Sequence, residues 1–278
     1  MLCSTLWPLF LAFWPMAVPN HPPWPTEGAG ESLRHQFEPP PGFTRLSQTP
    51  ESFGVWLANL PMLPKDRQVR LFDGRLKSNQ QAHCAVLDID VGTRDLQQCA
   101  DAVMRLRAEY LWSSNQKHAI TFNFTSGHTA KWSEWERGMR PTITGSQVRW
   151  QIKGLPDSSY KNFRRYLNIV FSYAGSASLA KELQRVRDPQ TLLPGDVFLQ
   201  GGFPGHAVMV MDVAENAAGE RVFLLAQSYM PAQQIHILKQ PGSSSPWYPA
   251  QKDGTLNTPE WRFSYSDLYR FPSPTDSP

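Results

Sequence analysis

Cysteine is nearly absent from this chain: there are three in 278 residues, and Cys3 stands in its opening segment. The other two, Cys84 and Cys99, cannot by themselves build a tetrahedral Cys-rich zinc centre, and no metal or organic cofactor is expected. A single bridge between them stays open. Charge is also scarce. Charged residues make up 18% of the chain, the net charge is +3, and the signs are mixed along its length. Without a Lys/Arg block, nucleic acid is set aside as a partner. A long apolar run is missing too. The stretch from Leu6 to Val18 is too short to span a bilayer and contains Pro8 and Pro15, so no stable transmembrane span is expected. Internal repeats and a second Pro/Gly-rich linker are likewise lacking, which argues for one domain.

What is present orders the chain into three parts. Residues 1–20 resemble a secretory apolar segment that ends in small residues and proline, although no Lys or Arg precedes it. Export to the periplasm or envelope is the expectation. Residues 21–41 hold clustered prolines and read as an extended tether, because proline restricts the backbone and removes donors. Residues 42–278 form the expected folded domain.

Within that domain Thr49-Pro50 marks a helix start, and Phe53, Trp56, Leu57 and Leu60 share one helical face. Asp73-Gly74 signals a hairpin turn, and residues 83–91 a strand. Asp95 with Gln98 gives a capping-box pattern for a helix that carries Leu96, Cys99, Val103, Leu106 and Tyr110 inward. Asp101, Arg105 and Glu109 recur at four-residue spacing and read as its solvated face. Residues 160–186 predict a helical region broken near Gly175. The chain from Gly195 onward predicts several strands. The fold class is therefore α+β, with an antiparallel sheet packed against helices.

One constellation carries chemistry. Cys99 lies in the first turn of its helix, where the positive end of the macrodipole favours thiolate. His206 follows Gly205 and opens a hydrophobic strand, and Gln227 lies at the far end of the next. A histidine facing the helix would take the thiol proton, and Gln227 would orient the ring. Cys99 also fits as a core cysteine or a disulfide partner, and Asp196 reads as a turn former. Tyr229, Gln233 and His236 alternate along a segment that can line one wall of a cleft. A second candidate surface is the loop with Trp132, Trp135, Arg137 and Arg140, which could stack sugar rings and hold an anion.

The order Gln98-Cys99, then Gly195-Asp196, then Gly205-His206, resembles the CHAP and NlpC groups of papain-like amidases. That resemblance implies a papain-like core with insertions and cleavage of amide bonds in cell-wall peptides. Cys99, His206 and Gln227 would be catalytic, with Gln98 and Gly205 toward the substrate, and Tyr229 of the cleft wall is a further substrate-binding candidate. Longer segments, among them DLQQCADAVMRLRAEYLW and PGDVFLQGGFPGHAVMVMDVAEN, resemble an uncharacterised bacterial family known only as a domain of unknown function, whose members tend to carry export signals. The expected function is an envelope cysteine hydrolase. The alternative is a non-catalytic envelope or peptidoglycan-binding protein, with the Trp–Arg loop and the His206 rim as its ligand surface and Cys99 inert.

Overall fold

The computed structural model describes residues 22–28 and 30–272, so the expected export segment lies outside the described residues. The chain is a mixed α/β protein built on antiparallel sheets. The principal sheet has nine strands. Its path runs His83–Val86, His236–Leu238, Arg221–Gln227, His206–Asn216, Val197–Gln200, Leu268–Arg270 and Gln184–Arg185, with Phe43–Arg45 and Tyr248–Pro249 added off that path. Neighbours such as Gln200 and His206, or Gln227 and His236, stand opposite each other in the ladder. The path thereby brings His206, Gln227 and His236 to one end of the sheet.

Side-chain alternation splits the core in two. Ala207, Met209 and Met211 of the longest strand face the helices. Val208 and Val210 face a second cluster with Phe198, Phe223, Tyr248, Phe263 and Leu268. A strand buried on both faces is a continuous hydrophobic run, which is how residues 207–211 read.

The helix Cys99–Ser113 packs on the first face, and twelve of its fifteen residues are buried. Full burial of side chains such as Val103, Met104 and Leu106 contributes roughly 1.5–3 kcal/mol each. This helix has no solvated face. Arg105 and Glu109 are fully buried and paired to each other at 2.6 Å. Their four-residue spacing suits a surface pair and an internal one equally, and only packing on all sides separates the two.

Other boundaries moved for local reasons. The early helix is Phe53–Ala58, capped by Ser52, whose hydroxyl accepts from the amide of Val55, rather than by Thr49. The Cys99 helix is capped at Gln98, whose backbone amide donates to Asp101, so Asp95 lies outside it. The strand after Ala82 ends at Val86. The break at Gly175 is as expected, between helices Tyr160–Tyr173 and Ser176–Glu182.

The expected tether is part of the folded body. Trp24 is buried and its indole donates to the carbonyl of Asp88, while Leu33 is fully buried on a short helix, Leu33–Gln36. The clustered prolines predicted an extended stretch. The apolar side chains between the prolines nonetheless find core positions, so the domain begins near Trp24 rather than Gly42.

Candidate functional site

Cys99 occupies the first helical position, at the end of the sheet where the His206 strand begins. Its thiol lies against the backbone of Ala207, the residue that follows His206. Burial first, and the neighbouring Asp101 second, push this thiol up to about 11. The helix terminus alone would have favoured thiolate. Desolvation outweighs it. Both Cys84 and Cys99 are free, which closes the disulfide reading.

His206 is 1% exposed and is set by its neighbours on every side. A Cβ at Gly205 would collide with the Ser176 hydroxyl and the carbonyls of Gly202 and Gln200, so only glycine lets the chain enter the strand here. The imidazole Nε2 lies 2.9 Å from Gln227 Oε1. Tyr229 meets the ring edge-on at 4.9 Å, Trp261 is tilted against it at 5.1 Å, and Phe263 is stacked at 5.9 Å. Burial, partly offset by the Gln227 bond, pushes the imidazole down to about 4.

The hydrogen bonds fix the tautomer. Gln227 Nε2 donates to Glu260 at 2.6 Å, and a carboxylate there can only accept. The same nitrogen lies 3.4 Å from His236 Nε2. His236 Nδ1 donates to the carbonyl of Gln234, so its Nε2 holds the lone pair and accepts. Gln227 therefore turns Oε1 to His206, and His206 Nε2 must carry the proton. The lone pair is left on Nδ1, the nitrogen a base would use. Glu260 is itself held by the buried Lys77 at 2.7 Å. No hydrogen bond joins the Cys99 thiol to the His206 ring among the described residues. Their closeness is read from the Ala207 backbone and from Tyr229, whose phenol is pushed up by burial, Glu260 and Cys99 in that order.

Gln98, Gly205 and Tyr229 thus border the Cys99–His206 region. The two tryptophans of the Trp–Arg loop offer no open face for a sugar ring. Trp132 and Trp135 are buried in a short helix, Trp132–Trp135, with Trp132 boxed in by Trp112, Phe163 and Tyr166. Arg140 lies over the Trp135 ring at 3.9 Å and donates to backbone carbonyls, and Arg137 donates to Ser133. These arginines brace the loop. Asp196 accepts from the amide of Leu193 and pairs with Arg270, a structural corner as expected.

Sequence reasoning missed Glu260, Lys77 and Trp261. Lys77 ends the segment read as a hairpin, Glu260 and Trp261 lie in an irregular stretch, and only the folded chain brings Glu260 to Gln227. Among the described residues no helix is long and apolar enough to cross a membrane.

A mixed α/β protein with a buried, oriented histidine beside a helix-borne cysteine is the class that fold and site define. Residues 33–270 match the family model described as domain of unknown function (4846), and the chain belongs to that family. No curated protein and no solved structure matches it.

Proposed function

We propose that the protein is a papain-like cysteine hydrolase acting on an amide bond, with an envelope peptide as its substrate class. One observation carries the reading: His206 is held by Gln227 as the Nε2–H tautomer, beside the backbone that the Cys99 thiol touches. A cysteine on a helix start, a histidine on a strand and an amide orienting that histidine make up the Cys–His–amide arrangement of papain-like enzymes.

The resting pair is a neutral thiol and a neutral imidazole. As Cys99 Sγ attacks the carbonyl carbon, its proton moves to His206 Nδ1 and the carbonyl π electrons move to oxygen. The first-turn amides of the Cys99 helix lie at the natural place to meet that oxyanion. The tetrahedral intermediate collapses, the C–N bond breaks, and His206 returns its proton to the leaving amine. Water then hydrolyses the acyl thioester, with His206 again as base. Export places this chemistry in the envelope, in line with the resemblance to cell-wall amidases.

A second reading keeps the fold and drops the chemistry. The burial that pushes the thiol up to about 11 favours an inert Cys99 in a non-catalytic envelope binding protein. Labelling of the native protein with a thiol probe across pH separates the two. An enzyme gives Cys99 labelling at neutral pH that collapses in Cys99→Ser and slows in His206→Ala. Labelling of Cys99 only after unfolding removes the hydrolase and leaves the binder.

A further inference from the structure

A cavity of about 320 Å³ opens beside the turn that leads into Cys99. Pro25, Leu96 and Phe171 supply its apolar wall, and Arg94, Gln97 and Arg164 stand with Asp90, Tyr160 and Asn168 on its polar one. Gln97 is 1% exposed, and its Oε1 accepts from Arg105 Nη1 at 2.9 Å. A guanidinium only donates, so the amide cannot be flipped, and Nε2 is the nitrogen turned elsewhere. That Nε2 has no partner. Arg164 pairs with Asp90 through Nη2 at 3.2 Å, while its Nη1 is also buried without a partner.

Two orphaned donors on residues lining one cavity depart from the rule that buried polar groups are paired, and a turn of the Gln97 or Arg164 side chain would present them to an acceptor in the cavity. The charge count points the same way. Arg105 and Arg164 are balanced by Asp90 and Glu109, and the exposed Arg94 adds one more cation to the lining. Asp95, next to Arg94, is turned to the Gln98 side chain and the amide of Ala232. Burial first, then the charge of Arg105, push the Arg164 guanidinium down against the opposite pull of Asp90, Tyr160 and Glu109, and an added anion would act in the same sense as those three.

We propose that this cavity binds the carboxylate of a small ligand, with Gln97 Nε2 and Arg164 Nη1 as its donors. One unmatched positive charge suits a monoanion better than a phosphate dianion, and a fork of planar donors suits a carboxylate. The apolar wall takes the side chain attached to it. If Cys99 acts as the nucleophile, two residues along the chain from Gln97, the cavity is where a substrate's terminal carboxylate would be held. The binding itself does not depend on that reaction. Glu109 Oε2 is a buried acceptor without a partner in the same network, so a single bridging water is the competing occupant.

Titration with N-acetylalanine against its neutral amide, N-acetylalaninamide, tests this in the full chain and in Cys99→Ser. The readouts are the side-chain amide signal of Gln97 and the melting temperature. We expect saturable shifts with the acid at millimolar concentration, none with the amide, and the same result without the thiol. Arg164→Gln should weaken binding by about tenfold, the loss of one charge-assisted contact. If that variant misfolds, the acid–amide comparison in the unaltered chain still decides. Equal responses to acid and amide, or none to either, would overturn the site whether or not Cys99 proves reactive.

Discussion

Two buried polar networks flank Cys99, and they differ in how completely they are satisfied. Around His206, the two nitrogens of His236, both polar atoms of the Gln227 amide and both oxygens of Glu260 have partners, and the chain of donors permits one tautomer. Around Arg105, the side chains of Asp90, Tyr160 and Gln97 meet a guanidinium with no exposure at all, yet donors on Gln97 and Arg164 stay open. A closed network over-determines a side chain, which is what a proton-transfer group needs. An open one retains donors for something the chain does not provide. One helix carries both, with Cys99 at its start and Arg105 two turns on.

The comparison breaks most visibly at the closed network. His206→Ala should slow labelling of Cys99 at neutral pH by about 10²–10⁴-fold, the usual worth of a positioned base, while the fold persists by circular dichroism. Unchanged labelling would mean that the tautomer is ordered for packing alone. At the other network, Arg105→Met leaves the buried Glu109 with the Tyr160 hydroxyl that donates to it and without its counter-charge. Removing one partner of a buried pair costs about 3–5 kcal/mol, read as a fall in the denaturant midpoint at constant slope. A loss below about 1 kcal/mol would place this pair with solvated ones and weaken the contrast.

The same contrast governs what was legible in the sequence. Periodicity found the Cys99 helix and the strands after Gly195, because apolar spacing is a local property. It also placed Cys99, His206 and Gln227 on the right elements. Period cannot report which side chains are enclosed, so Arg105 and Glu109 looked like a solvated face although both are buried. Trp132 and Trp135 looked like a sugar platform for a related reason. Aromatic residues three apart suit a binding loop and a core helix alike, and the packing of Trp112 and Tyr166 around Trp132 is decided by residues remote in sequence. Glu260 left no local trace. Its partner Lys77 is 183 residues away and Gln227 is 33.

Acid should expose the cost of keeping the histidines neutral. His206 is pushed down to about 4 and His236 to about 3, each by burial first, from an ordinary value of 6.5. Between those values and 6.5 the unfolded chain binds more protons than the folded one, so stability rises with pH there. The contribution is complete above about 6.5 and is lost as pH falls toward 4, at roughly 1.4 kcal/mol per unit of displacement for each group. Denaturant midpoints measured from about pH 7.5 down to about pH 4.5 should fall in the unaltered protein and fall less steeply in His236→Asn. Parallel curves for the two proteins would mean that His236 takes up its proton as readily folded as unfolded, and its burial as a neutral ring would be wrong.

The finest test concerns the carboxylate that holds the Gln227 amide. Glu260 accepts from Gln227 Nε2 and so decides which end of that amide meets His206. In Glu260→Gln the new side chain can offer either a donor or an acceptor, and Gln227 is free to turn over. A reversed Gln227 would present its NH₂ to His206 Nε2 and move the proton to Nδ1, the nitrogen assigned to the base. The expected result is a mixed tautomer in the ¹⁵N spectrum of His206 and labelling of Cys99 slowed by about tenfold, less than in His206→Ala because a fraction of the rings stays correctly protonated. Lys77 would lose its only carboxylate among the described residues, so Lys77→Met/Glu260→Gln serves as the companion variant in which no unmatched ammonium remains. If both variants keep a pure Nε2–H signal, His236 alone orients Gln227, and control of the tautomer passes from Glu260 to that histidine.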